Sequence, residues 1–199
     1  MLSAIILAAG ESARMGRPKA LLQWKNRPFI EHVCSALRAA GVEDRVAVLG
    51  RASGEILKAW TPAGEKVAVN LKPENGQLSS LRAGLEYAAA DCEAFMVCLA
   101  DQPTVDPETY KKLIAFWAYN KNSIIIPRTL RAEDPRLKRG HPIIIPAEFR
   151  RLCYEGPLEK GLHWVTHHPS VKIADLEVAD KEIIRDFDTP EDYRTLDPG

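Results

Sequence analysis

Across 199 residues the chain lacks a net charge, because Lys plus Arg and Asp plus Glu each number 27. A balanced surface offers no general attraction to nucleic acid or to an anionic membrane, so neither is expected as a partner. No apolar run approaches the roughly 20 residues needed to span a bilayer. The apolar N-terminal run, Leu2 to Ala9, breaks at Gly10 and has no basic leader, so it reads as a buried strand rather than a targeting segment. Cysteine is scarce, and Cys34, Cys92, Cys98 and Cys153 show no paired metal-ligand spacing. Buried, reduced thiols in a cytoplasmic protein are the expectation. The four tryptophans fall on separate elements and suit packing better than a stacking platform. There is no repeat, low-complexity tract or linker, so residues 1–199 are expected to form a single domain with a continuous core.

What the chain does have is alternation. Apolar strand-like runs at 4–7, 45–49, 67–70, 94–99, 123–127, 143–145 and 171–176 are separated by helical patterns. The helices are expected at 29–40, 54–60, 78–90, from the Asp106-Pro107 start to about Tyr119, and at 147–154, with a last one opened by Thr189-Pro190-Glu191. The segment Arg128 to Gly140 is charged and carries Pro135, which predicts a loop or lid. Such alternation implies an α/β fold, a three-layer αβα sandwich with a mainly parallel, Rossmann-like sheet. Ligands bind beyond the carboxyl ends of such strands, where Gly10, Asn70 and Asp101 fall.

The loop after the first strand, Leu7-Ala8-Ala9-Gly10-Glu11-Ser12-Ala13-Arg14-Met15-Gly16-Arg17-Pro18-Lys19, combines small residues, two glycines and three cations. Small residues let backbone amides approach an anion, and Arg14 and Lys19 can neutralise phosphate charge. A glycine-containing turn with solvated basic residues would look the same. The loop is neither a Gly-Lys-Ser/Thr phosphate loop nor a Gly-x-Gly-x-x-Gly dinucleotide loop, which weighs against a plain dinucleotide-binding oxidoreductase.

This loop resembles the signature of the nucleotidyltransferases that make molybdenum cofactor dinucleotides, within a superfamily that includes cytidylyltransferases for methylerythritol phosphate and for sugars. Ala8-Ala9-Gly10 and Met15-Gly16 resemble the molybdenum cofactor cytidylyltransferase branch, whereas the guanylyltransferases more often carry a second glycine where Ala9 stands. Further segments match in order: Asn70 with Gly76 to Leu85, Asp101-Gln102-Pro103, Arg139-Gly140-His141-Pro142 and Asp186 to Asp192. Leu71 and Gln77 depart from the family pattern of proline and of Met or Leu.

The resemblance implies CMP transfer from CTP to a molybdopterin-type cofactor phosphate, with release of pyrophosphate. It assigns the nucleotide to Leu7, Ala8, Ala9, Gly10, Lys19, Asn70, Gly76, Ser79 and Ser80, and charge neutralisation to Arg14 and Lys19. It assigns Mg2+, or Mn2+, to Asp101 and Asp188, with Asp186 the alternative ligand, and the acceptor to Arg139 and His141. Each residue also has a plain structural role open to it: Asp101 can organise its turn, Asn70 can form one, and Ser79-Ser80 can cap a helix. A phosphate nucleophile is already ionised at neutral pH, so no general base is required. Rival readings are a guanylyltransferase for the same cofactor, a cytidylyltransferase for another small phosphate such as methylerythritol phosphate, and a non-catalytic chaperone that delivers cofactor. A molybdoenzyme or its maturation chaperone would be the protein partner.

Overall fold

The computed structural model describes residues 1–10, 15–131 and 134–196. Among the described residues ten strands and seven α-helices follow in chain order: β1 (Leu2–Ala8), β2 (Gln23–Trp24), β3 (Arg27–Pro28), α1 (Phe29–Ala39), β4 (Asp44–Leu49), α2 (Ser53–Ala59), β5 (Lys66–Val69), α3 (Gln77–Leu85), β6 (Ala94–Leu99), α4 (Pro107–Ala118), β7 (Ile124–Arg131), β8 (Asp134–Arg139), β9 (Ile143–Pro146), α5 (Arg150–Glu155), α6 (Gly161–Thr166), β10 (Ile173–Glu177) and α7 (Pro190–Arg194).

The main sheet runs β10-β7-β9-β6-β1-β4-β5, and β8 pairs with β7. Pairing of β1 with β4 and β6, of β4 with β5, and of β10 with β7 is parallel, whereas β9 runs against both β6 and β7. The carboxyl ends of β1, β4, β5 and β6 therefore share one edge. Strand alternation sends neighbouring residues to opposite faces. Ile6, Ala47, Met96 and Cys98 pack with Ile30, Val33 and Leu37 of α1 and Leu113 of α4. Ile5, Val46, Val48 and Val97 pack instead with Leu78, Leu81 and Leu85 of α3 and with Leu162 and Val165 of α6. These are the two apolar layers of a three-layer αβα fold, as the sequence predicts. All four cysteines are buried and unpaired.

A third, smaller core joins Leu22, Phe29 and Phe187, with Trp24 and Tyr193 at its margin. It sits beside the tight β2–β3 hairpin, where Lys25 and Asn26 adopt positive φ of 46° and 60°, the geometry of a two-residue hairpin turn.

Two expectations need correction. Where the sequence reading has a loop over 128–140, residues 128–131 complete β7 and residues 134–139 form β8. Charge is accommodated at the strand surface, with Arg139 donating twice to Asp175 of β10 at 2.7 and 2.9 Å. The helix predicted over 78–90 ends at Leu85. There the Ala89 amide donates to the Asp44 carboxylate at 2.8 Å, which draws the chain out of helical register. The short helix α6 has no counterpart in the sequence reading. The helix starts fared better. Asp106 accepts from the Glu108 amide, and Thr189 forms a reciprocal capping box with Asp192. Among the described residues no helix is long and apolar enough to cross a membrane.

Candidate active site

Strand β1 delivers Leu7 to Gly10 to the carboxyl edge of the sheet. Ala9 is buried there, and a Cβ on Gly50, just past β4, would lie 2.4 Å from the Ala9 carbonyl oxygen. Only glycine lets the two strand ends approach this closely. A cavity of about 300 Å³ opens above them, lined by Leu7 to Gly10, Lys19, Gly76, Gln77, Ser80 and Asp101. Residues 11–14, Arg14 among them, lie outside the described residues.

Lys19 leads a 3-10 turn whose Ala20 and Leu21 are buried, so its backbone is fixed and its side chain reaches out. Its ammonium donates to Asp101 Oδ2 at 3.0 Å and makes a shorter contact with Asp188 Oδ1. One cation thus joins carboxylates from the β6 turn and from the segment before α7. Burial alone would lower the Lys19 pKa, but the hydrogen bond to Asp188 and the charge of Asp101 more than offset it, and the net shift is upward. Lys19 remains an ammonium at neutral pH.

Asp186 points elsewhere. It accepts from the Gln102 amide at 2.8 Å, and burial raises its pKa, with Asp101 and Asp188 adding to the rise. Between the two aspartates Phe187 is fully buried in the third core. That anchor turns Asp186 toward Gln102 and Asp188 toward Lys19.

Asn70 is used up by the protein around it. Its side-chain nitrogen donates to Ser79 Oγ at 2.9 Å and Ser80 Oγ at 3.0 Å, and its oxygen accepts from the Lys72 amide at 2.9 Å. Ser79 also donates to the Gly76 carbonyl at 2.8 Å. Both serines sit in the first turn of α3, which Gly76 opens at φ 85°. Asn70 thereby sets the serine hydroxyls, and Ser80 reaches the cavity wall.

A second cavity, of about 460 Å³, lies across the Asp101-Gln102 turn and is lined by Gln102, Arg139, Gly140, His141, Ile183 and Asp186. The Ile183 carbonyl accepts from the His141 amide at 2.9 Å, and a Cβ on Gly140 would fall 2.0 Å from the same oxygen. Burial lowers the His141 pKa to about 4, with Asp101 opposing weakly, so this imidazole is neutral at pH 7. Arg139 stands on the same wall with its guanidinium paired to Asp175. Asp101 and Gln102, adjacent in sequence, therefore serve different cavities.

Sequence reasoning missed Gly50, Gln102 and Phe187. Gly50 had a signal, as a glycine closing an apolar run. Gln102 and Phe187 had only their position inside motifs read for their aspartates.

A largely parallel sheet with an anion-suited loop and paired carboxylates beyond its carboxyl edge defines a nucleotide-handling α/β protein of Rossmann-like type. The pattern of the MobA-like NTP transferase domain family matches residues 4–171, and the chain belongs to that family. It is 35% identical over 141 residues to the bifunctional protein GlmU of Sorangium cellulosum, covering 67% of this chain and 30% of that one. It is 31% identical over 148 residues to nicotine blue oxidoreductase of Paenarthrobacter nicotinovorans, covering 73% and 71%. A probable molybdenum cofactor guanylyltransferase of Bacillus cereus (strain B4264) is 29% identical over 137 residues, covering 69% and 66%. The chain thus spans less than a third of the first relative's length. Among solved structures, Rv0371c of Mycobacterium tuberculosis H37Rv superposes with a TM-score of 0.86 at 27% identity over 98% of this chain and 96% of that one. Its complex with manganese gives 0.81 at 25%, over 98% and 97%.

Proposed function

We propose that residues 1–199 form one nucleotidyltransferase domain that moves CMP from CTP to the phosphate of a molybdopterin-type acceptor and releases pyrophosphate. The observation that carries this reading is the Lys19 ammonium held between Asp101 and Asp188 at the wall of the first cavity, with Gln102, the neighbour of Asp101 in sequence, lining the second. The first cavity suits the nucleotide and the second the acceptor, so the two phosphates would meet at the Asp101 turn.

The donor set at that turn is all oxygen and already gathers around a cation, which fits a hard divalent ion such as Mg2+, or Mn2+. Asp101 and Asp188 would hold it, and once bound it would neutralise charge on phosphate oxygens. The remaining work falls to the chain. Amides of Ala8 to Gly10 and the N-terminal turn of α3 would orient the triphosphate and base. Arg14 and Lys19 would balance the charge that grows on the leaving pyrophosphate, where positioned cations act most strongly. Neutral His141 would offer hydrogen bonding, not charge, to the acceptor, and Arg139 would add cationic character to the same wall. No group need remove a proton from the attacking phosphate.

The nucleotide choice rests on Ala9. A GTP-using enzyme is the second reading, favoured by the name of the Bacillus cereus relative. Pyrophosphate release with CTP, GTP and UTP in the presence of molybdopterin, with mass detection of the dinucleotide, tests both. Turnover with CTP supports the reading, turnover with GTP alone replaces it, and no adduct with any triphosphate removes it. Loss of turnover in a folded Asp101→Asn variant would separate an enzyme from a delivery chaperone.

A further inference from the structure

An ammonium and a divalent ion compete for the same carboxylate oxygens, because each needs the lone pairs that face it. At this site the ammonium already takes one oxygen of each carboxylate: Lys19 Nζ lies 3.0 Å from Asp101 Oδ2 and closer still to Asp188 Oδ1. Lys19 also lines the cavity assigned above to the triphosphate. Two carboxylates and one ammonium sum to a single negative charge. A divalent ion added beside an unmoved Lys19 would face a like charge a few ångströms away, which opposes its binding. A triphosphate in the cavity provides the ammonium with other oxygens. The buried Ala20 and Leu21 hold the Lys19 backbone, so the exchange needs only side-chain rotation.

We propose that Lys19 is an internal counter-ion that keeps the Asp101–Asp188 site closed to divalent metal until a polyphosphate draws its ammonium away, which couples metal entry to nucleotide binding. The proposal rests on the reading of Asp101 and Asp188 as metal ligands and concerns how that same site is regulated.

The test is Mn2+ binding without nucleotide, followed by the electron paramagnetic resonance signal of the free ion. Lys19→Met and Lys19→Gln should bind Mn2+ about tenfold more tightly than the unaltered protein, a step of about 1.4 kcal/mol. Arg17→Met, which removes an exposed cation from the same loop, should change little. In the Lys19→Met background Asp101→Asn should abolish the gain. No gain in either Lys19 variant overturns the proposal, and so does an equal gain in Arg17→Met, which would reveal a general charge effect. Tight Mn2+ binding that survives Asp101→Asn would instead overturn the ligand assignment. Thermal melting of each variant checks that the chain is folded.

Discussion

Asn70 and His141 both stand at the candidate site, the first tied by its side chain to the protein around it and the second neutralised by burial, with different consequences. Asn70 spends its amide on Ser79, Ser80 and the Lys72 backbone. Asn70→Ala should leave the two hydroxyls unset and raise KM for the triphosphate about tenfold, at roughly 1–2 kcal/mol of stability. Steady-state kinetics beside urea denaturation would check it. For His141 the sign follows from its low folded pKa. Between pH 6.5 and about 4 the unfolded chain binds a proton that the folded chain refuses. Its stabilising contribution is therefore complete above pH 6.5 and lost as pH falls toward 4, by up to about 3 kcal/mol. His141→Gln should flatten the measured unfolding free energy over that interval; an unchanged slope would assign the acid sensitivity elsewhere. At this scale the charges of Lys19, Asp101 and Asp188 can be read from the short motifs that hold them, but their meeting in one ion-pair cluster cannot. Nor can the role of Gln102, because a neutral amide inside a turn announces nothing until Asp186 is seen opposite it.

Among the elements, α3 lies close against the sheet at Gly84. A Cβ on Gly84 would lie 2.4 Å from Ile5 Cγ2 and 2.7 Å from Val48 Cγ2. Gly84→Val should force the helix off the sheet, costing about 1–3 kcal/mol or more and loosening Ser80 with it. A lower denaturation midpoint together with weaker nucleotide binding is the expected pair of results, and a variant of unchanged stability would contradict the packing. Elements with a clean apolar period, such as α1 and β6, could be read from the sequence because their partners are the core. The β7–β8 ribbon could not. Two of its arginines, Arg128 and Arg139, find counter-charges on β10, 36 positions further along in the case of Arg139 and Asp175, and local composition carries no trace of so distant a partner. The early end of α3 has the same origin, since the Asp44 carboxylate that receives the Ala89 amide is 45 residues away.

Taken as a whole, the parallel half of the molecule followed from alternation alone, but the insertion of β9 between β6 and β7 did not, because periodicity encodes faces and not neighbours. The third core has a molecular role larger than its size. Leu22 and Phe29, from just past the N-terminal loop, meet Phe187 from the segment that carries Asp186 and Asp188. Phe187→Ala should leave the main sheet folded while freeing that segment. Far-UV circular dichroism should be nearly preserved and turnover should drop by about tenfold or more, as expected when positioning is lost. Full turnover in that variant would show that the aspartates need no such anchor.

Lys19 and Asp188 are 169 positions apart in the chain. On the ribosome, the strands that form the cavity floor emerge early and can begin to pair. The ion pair cannot close until residue 188 has also left the exit tunnel. A nascent chain would therefore carry Lys19 and the cavity floor well before the Asp188 carboxylate, and the ion pair would form only once that distant segment has folded back onto the sheet.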